Sequence, residues 1–282
     1  MRIDLHTHSN VSDGTEAPGA VMASAAAAGL DAVALTDHDS TAGWGEAAEA
    51  ARTLGLVFIP GMEVSCRTDE GISVHVLSYL HDPSHPGLLA EIAKSRSARV
   101  SRAERMVERL AEDYPISWAD VQEHVAPGAT IGRPHIADAL VAAGVVPNRS
   151  AAFTGILTAR SRYFVAHYAP DPADAVRLIR EAGGVPVFAH PEASSRGRVV
   201  GERTYKQMID AGLAGLEIEH RDNPEDGRAY LRQLAEEHSL LVTGSSDYHG
   251  TGKPNLLGEN TTSPEVLERI EELGTGTPVI RP

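Results

Sequence analysis

The chain is 282 residues long, 42% hydrophobic and 23% charged, which excludes a disordered or fibrous class and suits one large α/β unit or two smaller ones. A formal net charge of -14 excludes bulk attraction of long nucleic acid, so an anionic ligand must be drawn by a local site. The single cysteine, Cys66, excludes an internal disulfide, and the opening MRIDLHTHS lacks the apolar core of a signal peptide; with no apolar run near the ~20 residues of a membrane span, the expectation is a soluble cytoplasmic protein with no membrane partner.

The predicted elements begin with a short strand, Arg2 to His6, and an alanine-rich helix, Ala17 to Ala28, closed by Gly29. A second strand follows at Ala32 to Thr36, then a helix from Gly43 to Leu54 stopped by Gly55. Leu56 to Ile59 starts a third strand that runs on towards Glu63, and Ser73 to Leu80 forms a fourth. Only the polar turn Arg67 to Gly71 separates these two, too little for a crossover helix, so they should run antiparallel and bring His75 near Glu63.

From Asp82 to about Arg162 the strand patterns vanish. Helices are expected over Gly87 to Ala111, Ser117 to His124 (a Ser-x-x-Asp cap) and Pro134 to Ala143. Alternation then resumes: a helix opened by Asp171-Pro172, a strand Val185 to Ala189, a helix Thr204 to Ala211 and a strand Gly215 to Glu219. Asn223-Pro224 opens another helix, Leu240 to Thr243 is a strand, and Ser263-Pro264 starts the last helix. Seven strands, mostly followed by helices, make an α/β fold with a largely parallel sheet, though periodicity does not choose between an open sheet and a barrel. The expected division is a unit of residues 1–82 and 163–282, interrupted by a helical insertion over 83–162.

Chemistry-bearing residues gather at the strand ends, where barrels place functional groups. His6 and His8 are two apart on extended chain, so both rings point one way, as a pincer for a metal ion. Asp13 lies in an Asp-Gly turn. Asp37, His38 and Asp39 directly follow an apolar strand, a costly placement unless the groups are paired or ligating. Glu63, His75, His190, and the pair Asp247 and His249 sit at further strand ends, which points to a multi-metal site on nitrogen and oxygen ligands. Cys66 reads as an ordinary thiol, and His81, His85, His124 and His238 as exposed; Glu219 and His220 follow the sixth strand and could line the site.

These motifs, with Asp4, His6, His8 and Ser9 at the start, Thr36 to Asp39, Gly61 to Glu63, His190-Pro191 and Ser246 to His249, resemble the four-motif signature of the PHP (polymerase and histidinol phosphatase) family. The resemblance spans nearly the whole chain. It implies a distorted (β/α)7 barrel binding three divalent metal ions, manganese before iron or zinc. His6, His8, Glu63 and Asp247 would hold the first, Glu63, His75 and His190 the second, and Asp13, His38 and His249 the third. Many relatives carry histidine where Asp13 stands.

The helical insertion resembles the cap of members that act on nucleotides, with Thr130 to Ala137 as the substrate segment. It implies substrate contacts from Arg133, His135 and Arg196, with Arg160, Arg162, His167 and Arg198 assisting. The implied activity is hydrolysis of a small phosphorylated substrate, such as a nucleoside 3′,5′-bisphosphate or short RNA, by hydroxide held between the first two metals, with the leaving alkoxide protonated by Asp247, His249 or a metal-bound water, among which the sequence does not choose. Histidinol-phosphate hydrolysis ranks second, because such enzymes are more compact. An amidohydrolase-like barrel would commonly carry a carbamylated lysine, and no expected strand end has a lysine. A PHP module without catalysis would have lost ligands, and here all nine are present. Oligomeric state is not legible.

Overall fold

Seven strands form one sheet in chain order: β1 (Ile3–Asp4), β2 (Ala32–Leu35), β3 (Val57–Arg67), β4 (Ser73–Tyr79), β5 (Val185–Phe188), β6 (Gly215–Glu219) and β7 (Leu241–Gly244). The computed structural model describes residues 1–282. The pairings β1–β2, β2–β3, β5–β6 and β6–β7 are parallel, while β4 runs antiparallel to both neighbours. Isolated bridges from Ile3 to Thr262 and from Thr7 to Tyr248 bring the two sheet edges together into a nearly closed barrel.

Helices α1 (Pro18–Ala27), α2 (Trp44–Leu54), α7 (Pro172–Glu181), α8 (Glu202–Asp210), α9 (Glu225–His238) and α10 (Pro264–Leu273) cover the sheet. Proline at the first turn of α1, α7 and α10 pre-sets the helical backbone at the cost of an N–H that had no helical partner. Asp171 and Ser263 cap α7 and α10 by accepting from Ala173 N and Val266 N. Between β4 and β5 the chain forms α3 (Pro86–Leu110), α4 (Trp118–Gln122), α5 (Arg133–Ala142) and α6 (Arg149–Thr154), the last not anticipated. They pack on an apolar cluster of their own, with Met106, Leu110, Ile136, Leu140 and Leu157 buried at its centre. No helix is long and apolar enough to cross a membrane.

The antiparallel β3–β4 pairing follows the short turn, and its register sets Ser65 against His75 and Glu63 against Leu77. β3 extends to Arg67, so Glu63 lies inside a long strand rather than at its end. β1 is only two residues long; beyond it the chain stays tied by hydrogen bonds from His8 N to Tyr248 O and Thr36 N to Thr7 O. His81 is not exposed as expected: Leu80 adopts a left-handed φ of 57°, and the chain tucks His81 against Trp44, with ring centres 5.0 Å apart. His85 is half-buried and caps α3, its ring nitrogen accepting from Leu88 N, whereas His124 and His238 are exposed.

Candidate metal centre

Glu63 is the hub. Its Oε1 lies 2.7 Å from His75 Nδ1 and 3.2 Å from His190 Nε2, and its Oε2 lies 3.2 Å from His6 Nε2, 3.1 Å from His8 Nε2 and 3.2 Å from His38 Nδ1. One buried carboxylate thus faces five imidazoles, with its two oxygens serving different sets. Asp247 Oδ1 lies 3.5 and 3.3 Å from His6 and His8, closing a group of four donors with Glu63. Asp13 Oδ1 is 3.2 Å from His249 Nε2, and Asp13 Oδ2 is 3.7 Å from His38 Nε2. All nine side chains singled out from the sequence as ligands therefore converge.

Three groups bring their donor atoms within 4.8 Å of one another: His6, His8, Glu63 and Asp247; His8, Asp13, His38 and His249; and His38, Glu63 and His75. The expected sets differ in detail, since His8 also turns towards Asp13 and His38 also faces Glu63. His38 Nδ1 and His75 Nδ1 lie close to Glu63, yet neither makes a hydrogen bond, and His249 Nε2 is likewise buried without a partner. Close approach without hydrogen-bond direction is how ligand atoms sit around a shared cation, so this donor set fits divalent metals.

The surrounding layer holds the ligands still. Glu217 Oε1 lies 2.9 Å from His6 Nδ1, its Oε2 accepts from His190 N at 2.8 Å, and Ser245 Oγ also donates to it. Asp37 accepts from Ser9 N, Ser9 Oγ and Ser12 Oγ at 2.8, 2.6 and 2.6 Å, pinning the loop that carries His8 and Asp13. Asp39 accepts from Ser65 N and Arg99 Nε, each at 2.8 Å. Asp39, His190 and Asp247 carry left-handed φ values of 50°, 33° and 56°, and such strain in non-glycine residues gathers at functional sites.

Glu217 escaped the sequence reading. Its signal was available: in Gly215 to Glu219, alternation sends Leu216 and Ile218 one way and Glu217 and Glu219 the other, and Glu217 is the one that is fully buried. His220 does border the site, its Nε2 3.7 Å from Asp247 Oδ2, whereas Glu219 points away to Arg232. Lys253, also missed, donates to Asp247 Oδ2 at 2.9 Å. Arg196 donates to the same oxygen at 2.6 Å and to Asp222, which puts it at the centre's edge.

Most of the other residues anticipated as substrate contacts have partners within the chain. The Nδ1 of His135 accepts from Gly132 N and caps α5, and the ring is buried. Arg133 donates to Leu157 O and lies over the Phe153 ring. Arg162 pairs with Asp113 and Arg198 donates to Glu70 O, both at the surface, and Arg160 is exposed. Cys66 is buried, and its thiol is pushed up by burial and nearby carboxylates, so it is an inert side chain.

Burial pulls the His8 imidazole down, but Asp247 and Glu63 overcome this and raise it to about 9. A group raised in this way holds its proton at neutral pH, and that proton competes with a cation. Metal affinity should therefore strengthen by about tenfold per pH unit on going from 6 towards 9. Chelator competition at several pH values checks this; a flat profile would contradict it. Gly14 offers a second check. A Cβ there would lie 2.4 Å from His8 O, against backbone that cannot give way, so Gly14→Ala should displace the His8–Asp13 loop and lower both thermal stability and metal content.

Buried imidazoles and carboxylates converging inside a nearly closed α/β barrel define a metal-dependent hydrolase. A family model, the PHP domain, matches residues 4–116. The chain is 35% identical to the 3′,5′-nucleoside bisphosphate phosphatase of Chromobacterium violaceum, over 89% of this chain and 88% of that one. It is 32% identical to a 5′-3′ exoribonuclease of Haemophilus influenzae, over 88% and 90%. A crystal structure assigned as a metal-dependent phosphoesterase from Bifidobacterium adolescentis superposes with a TM-score of 0.94 at 45% identity, over 97% and 96%. The chain belongs to the PHP family of metal-dependent phosphoesterases.

Proposed function

We propose that this phosphoesterase hydrolyses phosphate esters of nucleotides, with nucleoside 3′,5′-bisphosphates as the leading class and short RNA 5′ ends as the next. The observation that carries the reading is Glu63, whose two oxygens face separate sets of imidazoles and are placed to bridge two cations. His6, His8, Glu63 and Asp247 would hold one metal, Glu63, His75 and His190 a second, and Asp13, His38 and His249 a third. Manganese is favoured over iron or zinc. Such cations neutralise phosphoryl charge and lower the pKa of bound water.

The chain's own residues supply the rest. Arg196 and Lys253 bracket Asp247 Oδ2 at 2.6 and 2.9 Å, where they can also donate to a phosphoryl oxygen. Lys253 and Arg196 hold the Asp247 carboxyl well below its ordinary range despite burial. Asp247 is therefore ionised at working pH, which suits a metal ligand, and the proton that the leaving alkoxide takes up is assigned to Asp247, His249 or a metal-bound water. The helices over 83–162 act as the substrate cap, with Arg133 the expected phosphate contact. The nucleotide preference rests on the relatives, whose names specify nucleoside bisphosphate and RNA substrates.

The test is elemental analysis of purified protein, followed by phosphate release from adenosine 3′,5′-bisphosphate, AMP and p-nitrophenyl phosphate beside amide substrates. Chelation should abolish turnover and manganese restore it, with the bisphosphate hydrolysed most efficiently. Metal-loaded protein that hydrolyses none of the phosphate esters would overturn the reading.

A further inference from the structure

Helices α5 and α6 reach back to the loops that carry two of the ligands assigned to the third cation. Arg149 opens α6, where Asn148 caps the helix by accepting from Ala151 N, and Asp138 lies on α5. The two side chains form a forked pair, Arg149 Nε to Asp138 Oδ1 and Nη2 to Oδ2, each at 2.5 Å and largely shielded from solvent. The remaining guanidinium nitrogen, Nη1, donates to Asp13 O at 2.8 Å. Thr130 N, shortly before α5, donates to Val11 O at 2.9 Å. The loop that presents Asp13 is thus tied to this helical segment at two points.

The position of that carbonyl gives the contact its weight. Gly14 N donates to Ser9 O at 2.9 Å, so the peptide linking Asp13 and Gly14 is pinned on its N–H side by its own loop and on its C=O side by Arg149. No backbone N–H donates to Asp13 O. Fixing that peptide plane fixes the direction in which the Asp13 side chain leaves the backbone. Its carboxylate stands 3.2 Å from His249 Nε2 and 3.7 Å from His38 Nε2.

The same guanidinium rests on the chain just after His249, where a Cβ on Gly252 would collide with Arg149 Nη1. Thr15 N and Thr15 Oγ1 both donate to His249 O, which closes this loop onto the one bearing Asp13. Arg149 therefore touches both segments. An unpaired guanidinium beside a cation site would repel the ion. The fork with Asp138 balances that charge and leaves Nη1 free to hold the carbonyl.

We propose that Arg149, held by Asp138, is a positioning residue for the third metal site: it sets Asp13 and the His249 loop, so that filling of that site depends on how α5 and α6 dock on the barrel. The inference rests on the three-metal reading given above and adds to it a residue that is itself no ligand.

The probe is manganese alone, titrated calorimetrically into chelator-stripped protein, with bound metal counted by elemental analysis. The unmodified chain should take up three ions. Arg149→Met keeps the apolar stem and loses every donor; the weakest binding step should weaken by about tenfold or more, with the other two within about threefold. Arg149→Lys should recover only part, because an ammonium lacks the fork that grips Asp138 while reaching Asp13 O. Asp138→Asn should weaken the same step, and in the Arg149→Met background it should have no further effect there, since Asp138 acts through the guanidinium. Unaltered manganese affinity in folded Arg149→Met, or an equal loss at all three steps, would overturn the role. An unmodified chain that takes up fewer than three ions would sink the three-metal reading and the proposal with it. Selective loss of one ion in a protein that hydrolyses no phosphate ester would sustain the role of Arg149 and sink the nucleotide reading instead. Should Arg149→Met fail to fold by circular dichroism, Arg149→Lys and Asp138→Asn carry the test.

Discussion

Glu63→Gln should lower kcat/KM for any phosphate ester by more than about 10³-fold while the protein stays folded. Glutamine keeps the shape of the side chain and removes its charge. Whichever way the amide is oriented, one of its two positions becomes a donor. That donor then faces either His75 and His190 or His6, His8 and His38, which approach the native oxygens within 2.7 to 3.2 Å. In the proposed arrangement a carboxylate serving both sets would be replaced by a neutral group that can serve one at most, so at least one cation should be lost. The check is metal content by elemental analysis, phosphate release and a thermal melt on the same sample. A variant that keeps its full complement of metal and its activity to within tenfold would remove Glu63 from the centre. His6→Ala should behave alike, because its ring meets both Glu63 and Asp247.

A second large effect is expected from Glu217→Gln, and it should have a different signature. Glu217 touches no substrate in this reading. It accepts from the backbone of His190 and stands 2.9 Å from His6 Nδ1, which turns the opposite nitrogen of that ring inward. Despite burial, His6 and its neighbours hold the Glu217 carboxyl at about 2, so it is ionised at any working pH. Removing that charge loosens the orientation and lowers the basicity of the imidazole. Such supporting carboxylates are worth about 10- to 100-fold in metal affinity. Activity at limiting metal should fall accordingly and recover at saturating manganese, unlike Glu63→Gln, which no metal concentration should rescue. Unaltered affinity in a chelator competition would show that Glu217 is a mere packing partner.

The contrast between these two residues shows how far a sequence speaks for this fold. Glu63 and the histidines were legible because the sequence sets them against apolar strand stretches, and charged groups there need a reason. Glu219 shared that position and proved to be a surface partner of Arg232, whereas Glu217, two residues earlier, faces the barrel interior. By alternation the two share a face; what separates them is a register break between Glu217 and Glu219 against β7, which only the pairing with the neighbouring strand reveals. His81 was misread for a related cause: nothing local foretells that the chain after β4 turns under the barrel. The short Arg67–Gly71 connection, by contrast, forced an antiparallel hairpin, and the register followed.

What the sequence determined by itself, then, was the seven strands, all the helices but α6, and the residue types of a metal centre, because periodicity, caps and strand-end charges are local signals; the barrel was implied by the family resemblance alone. Tertiary structure alone decided which ligands share a point and which carboxylates brace them. Those are contacts between segments tens of residues apart. Burial and mutual charge there depend on how the barrel closes and how the helices between β4 and β5 pack against it, and no window of sequence carries that information.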